Sequence, residues 1–167
     1  MASTGSHSFT ERLIGAARLD VDVYEEVEAD STATPQAAGV VALVAVASAI
    51  GGVGHGVAGV ATGVVASIVG WLIWALITYL IGDKLLGGTA TWGELLRTLG
   101  FAQAPGILFM FAAAPVLGWI VPAIVGIWML FTGIVAIRQA CDFGTGRAIV
   151  TAVLALIPYA LLRVLIA

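Results

Sequence analysis

The sequence predicts an all-α membrane protein with five membrane-crossing helices, its N-terminus in the cytoplasm and its C-terminus outside. Three observations carry this. Sixty per cent of the 167 residues are hydrophobic and only 10% are charged, where a soluble domain averages about 25% charged residues. The mean hydropathy is +1.08. Seven of the 10 acidic residues lie before Thr34, so the rest of the chain has too little charge to cover its apolar surface with polar groups, and lipid has to do so.

Residues 1–34 read as an acidic cytoplasmic headpiece. Charges are scattered through them, without the apolar core and small-residue cleavage site of a signal peptide. Phe9, Leu13 and Ala17 fall at helical spacing, as do Tyr24 and Val27, so two short amphipathic helices are expected. Asp22 followed by Glu25 has the spacing of a capping box and places the start of the second helix near Val23. Two arginines, Arg12 and Arg18, stand against seven carboxylates, two minus seven, a net of −5. Anionic lipid attracts polybasic segments, so this one fits a basic partner or plain solvation better than a lipid surface.

The domain 35–167 divides by length. About 20 apolar residues at about 1.5 Å each cross a hydrocarbon core about 30 Å thick. The run from 35 to 81 is too long for one crossing, and glycine density around Gly51, Gly52, Gly54 and Gly56, with His55 among them, marks a turn. The first span is therefore 35–53, with Thr34 as N-cap and Pro35 in the first turn. The second is 57–81. Residues 101–137 carry no charge and as one helix would be roughly 55 Å long, so Pro115, Gly118 and Pro122 divide them into spans 99–114 and 117–137. The fifth is 148–166, with a kink at Pro158.

The basic residues support this partition. Arg12 and Arg18 precede the first span, Lys84 and Arg97 lie between the second and third, and Arg138 and Arg147 between the fourth and fifth. All six share one side, and only Arg163 falls on the other, which is the asymmetry of the positive-inside rule. The membrane is then the cell's inner membrane.

Chemistry is sparse. Cys141 is the only cysteine, so no disulfide forms within the chain. His7 and His55 are too far apart for a metal site, and no nucleotide-binding loop or nucleophile motif is present. No catalytic residue, metal or cofactor is expected, and the protein is read as no enzyme. Ionisable residues are absent from the middle of every expected span, whereas proton relays and ion-coupled carriers place one there.

Polar residues gather instead at the cytoplasmic face. Asp83 closes the second span, Thr91 to Arg97 reads as a short interfacial helix with Trp92, Leu95 and Leu96 against the bilayer, and Arg138 to Arg147 forms the last inner loop around Asp142. With Asp22 and Tyr24 of the headpiece, the residues Asp83, Arg97, Arg138, Asp142 and Arg147 make a candidate interaction cluster. On the second span Gly59 and Gly63, extended by Ser67 and Gly70, form a small-residue face suited to helix packing within the bundle or between copies.

The stretch Leu99-Gly100-Phe101, with Pro105 a few residues on, resembles the third-helix motif of the Yip (Ypt/Rab-interacting) family, where leucine-glycine-tyrosine is followed by proline. Asp22-Val23-Tyr24 is similar to the start of the family's aspartate-leucine-tyrosine-glycine-proline motif, with Glu25 and Glu26 in place of the glycine and proline. The loop Arg138-Gln139-Ala140-Cys141-Asp142-Phe143 resembles a run found before the fifth helix in the prokaryotic branch. The resemblance implies a cytoplasmic N-terminal region and five helices. For eukaryotic members it implies association with Rab GTPases and with each other in vesicle trafficking and membrane shaping; for prokaryotic members it supplies a fold and no settled activity. Two functions stay open. One is a membrane-organising or partner-recruiting scaffold of the Yip type; the other is a small transporter, channel or lipid scramblase, suggested by a third helix interrupted at Pro105. Expected partners are membrane lipids, a second copy of the chain, and a cytoplasmic or membrane protein; nucleic acid is not among them.

Overall fold

The computed structural model describes residues 7–52, 56–114 and 116–166, without the side chains of 56–59 and 162–166. The turn with His55, the surroundings of Gly59, Pro115 and the side chain of Arg163 therefore lie outside the described residues.

Two short helices open the chain. Helix α1 (Phe9–Ala17) starts at a capping box in which the Ser8 hydroxyl accepts from the Glu11 amide and Glu11 accepts from the Ser8 amide. Leu19, at φ 64°, turns the chain tightly into α2 (Val21–Ala29). The expected capping box from Asp22 to Glu25 does not form. Asp20 takes the cap instead, accepting from the Asp22 amide at 3.1 Å, and the helix begins two residues earlier.

A 3-10 turn at Ser31–Ala33 leads straight into α3 (Thr34–Gly51). Thr34 is already helical, and the N-cap position belongs to Ala33, which makes no side-chain cap bond. The expectation for Thr34 is corrected for a physical reason. Asp30 caps the preceding 3-10 turn through the Thr32 amide, and the chain never leaves helical space before α3 begins. Pro35 does sit in the first turn.

Helix α4 (Gly56–Tyr79) widens into a π-helix at Leu80–Leu85. Helix α5 (Trp92–Phe101) then starts at a second capping box, Thr91 with Glu94. It is no surface helix. Leu95 is 0% and Leu96 7% exposed, and only Trp92 of the three faces outward. Helix α5 passes into a 3-10 helix at Ala104–Ala113, and together they form one run, Trp92–Ala113, of 22 residues. This third span begins seven residues before the expected position, because the capping box and the burial of Leu95 to Phe101 hold its polar first turns in the bundle.

The switch to 3-10 geometry follows from Pro105. In an α-helix the amide of residue 105 would donate to the Phe101 carbonyl, where proline has no hydrogen to give and its ring clashes; in the 3-10 turns that follow, the same missing hydrogen leaves Ala102 O open. The hydroxyl of Thr132, fully buried, donates to Ala102 O at 2.6 Å and takes its place. Helices α6 (Ile120–Ala140) and α7 (Thr145–Ile166, containing Pro158) complete the chain.

The third span is the axis of the bundle: 61% of it is buried, against 22% for α4 and for α6. Helix α3 runs parallel to it, with glycines as the contact points. A methyl at Gly100 would come within 2.6 Å of Ala37, one at Gly106 within 2.6 Å of Val44, and one at Gly51 would collide with the Phe109 carbonyl. Helix α6 packs on the 3-10 half, and α7 covers α4 and α6. Large apolar side chains face outward, among them Val65 and Val69 of α4, Ile127 and Phe131 of α6, and Val153 and Ile157 of α7. Such a belt is suited to lipid rather than water. Among the described residues four helical runs are long and apolar enough to cross a membrane, and the apolar part of α7 described with side chains, Thr145–Leu161, is shorter.

Candidate functional site

The end of the bundle formed by 86–91 and 141–144 is polar, and the headpiece is tied to it. Arg97, 8% exposed, reaches from the third span to the C-terminus of α2. Its Nε donates to Val27 O at 2.9 Å and to Glu28 O at 3.1 Å, and its Nη2 also donates to Glu28 O. These are the orphan carbonyls at the negative end of a helix dipole, where a cation is favoured. Arg138 donates to Gln139, whose amide donates to Glu25 of α2 at 3.1 Å. On the headpiece side, Arg12 is 3% exposed and binds Glu26, Asp30 and, in the first turn of α3, Gln36. The indole of Trp128 donates to Ala17 O at 2.8 Å, and the rings of Phe9 and Phe101 lie 6.3 Å apart. Trp128 stands twelve residues before the end of α6, so the tip of the α1–α2 hairpin reaches about 18 Å down that helix.

The remaining residues of the expected cluster fall into other settings. Asp142, at φ 52°, accepts from the Thr89 hydroxyl at 2.6 Å. Asp83 pairs with Lys84 at 2.8 Å, and the Arg147 guanidinium lies 4.1 Å over the Phe143 ring. Between them sits buried Cys141, against Gly82 and Gly88. Burial, with the carboxylates of Asp83, Glu28 and Asp142 nearby, pushes its thiol up to about 12. Asp22 points outward. Tyr24 is fully buried in the headpiece, its hydroxyl donating to Ala16 O at 3.1 Å, and burial drives its pKa well above the usual phenol value. Arg97 thus meets the headpiece directly and Arg138 only through Gln139, while Asp83, Asp142 and Arg147 line a neighbouring junction.

Arg12, Glu26 and Gln36 were absent from the sequence-based cluster. Arg12 lies on the face of α1 that carries Phe9 and Ala16, and a charge on an otherwise apolar face was the signal available. Glu28 was missed too. Burial pushes its carboxyl up to about 7, with Glu94, Asp142 and Glu25 adding to the shift and Arg97 opposing it. For Glu26, burial is outweighed by hydrogen bonds from His7 and Arg12, which hold it below the usual range; Thr32 and Arg12 do the same for Asp30.

These directions set a pH window for docking. Carboxyls held low stabilise the docked state above their unfolded values, and that stability is lost as pH falls through the lowered ones. A carboxyl held high acts oppositely. Glu28 costs nothing below its ordinary 4.5, and its penalty is complete once pH exceeds about 7. Docking is therefore expected to be tightest in mild acid and weaker by on the order of 1 kcal/mol at pH 8, after allowance for solvent screening. In Glu28→Gln the loss between mild acid and pH 8 should shrink to what His7 contributes as it deprotonates beside Glu26, read from the mobility of a spin label at Asp22→Cys in a Cys141→Ser background.

The small-residue face of α4 has open and crowded positions, and α3 packs alongside it. A methyl at Gly63 would meet nothing within 4 Å, and one at Gly70 would lie 3.1 Å from the Tyr159 hydroxyl. Ser67 and Gly70 line a cleft. Among the described residues no group of three or more His, Cys, Asp or Glu could hold a metal ion.

The family model described as Yip1 domain matches residues 28–166. The chain belongs to the Yip1 family. No curated protein and no solved structure matches it. The Yip1 match takes in both Leu99 to Pro105 and the 138–147 loop, and it begins at Glu28, so Asp22 and Tyr24 precede it. Within the Yip1 region the third-helix residues have clear physical tasks. Leu99 and Phe101 are buried, Gly100 admits Ala37, and Pro105 sets the 3-10 half of the span. This is a membrane protein of the Yip1 family, with membrane-spanning apolar helices.

Proposed function

We propose that this Yip1-family protein is a non-enzymatic scaffold of the cell's inner membrane. It crosses the bilayer five times with its N-terminus in the cytoplasm, and it recruits a basic partner through the outer face of its headpiece. The observation that carries this reading is the docked hairpin. Arg12 and Arg97 hold it from beneath, while Glu11, Asp20 and Asp22 are exposed on its outside. A carboxylate surface held rigid loses little side-chain and backbone entropy on binding and steers a cationic partner toward it. The positive-inside asymmetry supports the orientation. Self-association through the outward apolar helices would extend the scaffold.

Photo-crosslinking in native membranes from positions 11 and 22 tests the proposal. A protein adduct that weakens with salt and disappears when the remaining carboxylates among Glu11, Asp20 and Asp22 are changed to their amides is expected. Lipid adducts on a monomer alone would sink it. The α to 3-10 break in the third span favours the second reading, a small transporter, channel or lipid scramblase. Protein-dependent lipid or ion flux in liposomes, lost in Pro105→Ala, would replace the scaffold with it.

A further inference from the structure

Helices α4 and α6 face each other across a cleft of about 370 Å3, roofed by α7 and floored by the third span. This lies in the size range of small-molecule sites, about 300–1,000 Å3. Its depth is unusual for its chemistry. Gln103 lines it and stands at the midpoint of the Trp92–Ala113 run. Beside it are the Ser67 and Tyr159 hydroxyls. Among the described residues none of these three side chains has a hydrogen-bond partner, in contrast with Thr78, Thr98, Thr132 and Thr151, whose hydroxyls all bond to backbone carbonyls. Hydrocarbon offers no partner either, and an unpaired amide there costs about 2–7 kcal/mol.

The walls narrow the ligand. No Asp, Glu, Lys, Arg or His lines the cleft, so neither a phosphate headgroup nor a cation is matched. The Trp71 indole nitrogen is already spent on Leu96 O, which leaves Trp71 presenting carbon. Trp74 and Tyr159 stand edge to face at 5.2 Å and 73°, forming an aromatic corner. Gly70 of α4 and Gly133 of α6 keep the two walls low. An acyl chain would use neither the amide nor the ring faces. A flat, uncharged ring bearing carbonyl oxygens would use both: it stacks on the aromatic corner and accepts from the Gln103 amide and the Tyr159 hydroxyl.

We propose that this cleft binds a lipid-soluble quinone, entering from the bilayer between α4 and α6. The test uses the full-length protein in nanodiscs, titrated with decyl-ubiquinone while tryptophan fluorescence is followed. Freely diffusing quinone quenches all 5 tryptophans linearly, whereas a bound ring against Trp71 and Trp74 adds a saturable component. That component is expected in the wild type, weakened about tenfold in Gln103→Leu, which loses one buried hydrogen bond, and abolished in Gly70→Leu, which fills the cleft. Gln103→Leu is nearly isosteric, and an unchanged circular dichroism spectrum separates lost binding from lost fold. Linear quenching in the wild type would overturn the proposal. So would a saturable component that both variants retain, since the site would then lie elsewhere.

Discussion

Arg97→Ala is expected to release the headpiece from the bundle while leaving the bundle helices formed. The guanidinium is buried and makes its bonds to Val27 O and Glu28 O across nearly seventy residues of sequence. Its removal deletes hydrogen bonds of a charged donor, worth about 1.5–3 kcal/mol each, and leaves the end of α2 with unanswered carbonyls. A loss of about 3 kcal/mol moves the docking equilibrium by more than a hundredfold. Amide hydrogen exchange should show the change directly. Residues 9–29 should lose protection together, while 37–47 in α3 keep theirs. Arg97→Lys should rescue only in part, because an ammonium cannot reach both carbonyls with a planar fork.

The second large effect concerns Gly100. A Cβ there would sit 2.6 Å from Ala37 Cβ and 3.2 Å from both Ala37 Cα and O. Backbone stands in the way, so α3 and the third span must separate along their whole contact. Gly100→Val is expected to destabilise the bundle by about 3 kcal/mol, read as a lower thermal midpoint in detergent. Gly133→Ala is the control. Its added methyl would meet nothing within 4 Å, and the midpoint should barely move. Gly100→Ala should cost less than Gly100→Val, and adding Ala37→Gly should recover the part of that cost due to the methyl–methyl contact at 2.6 Å, which would assign the effect to this one contact.

Both predictions show where sequence reading reached and where it stopped. Apolar runs of membrane-crossing length set the helices, because length and hydropathy are local properties. The third span was placed late because Glu94, Arg97 and Gly93 lower the hydropathy of its first turns. Leu95 and Leu96 looked ready for lipid, yet they are buried by packing that no local pattern reveals. The spacing of Phe9, Leu13 and Ala17 revealed the first headpiece helix, but not that it lies against Phe101 and Trp128. Tyr24 resembled part of an interaction motif and instead fills the headpiece core. Arg97 and Arg138 were recognised as polar groups of one face, while the α2 groups that Arg97 meets directly and Arg138 through Gln139 are contacts of tertiary structure. Thr132 is the sharpest case: its task exists only because Pro105, on another helix, lacks an amide hydrogen.

Docking of the headpiece onto α6 is the feature on which the scaffold reading rests. The most direct measurement is a proximity test in native membranes. Glu25→Cys and Gln139→Cys replace two side chains that hydrogen-bond at 3.1 Å, in a Cys141→Ser background. A short bifunctional thiol reagent should join them within one chain, rapidly and in high yield, and the yield should collapse when Arg97→Ala is added. If both thiols react independently with maleimide and no intrachain bridge forms, the headpiece is not docked and the rigid acidic surface does not exist.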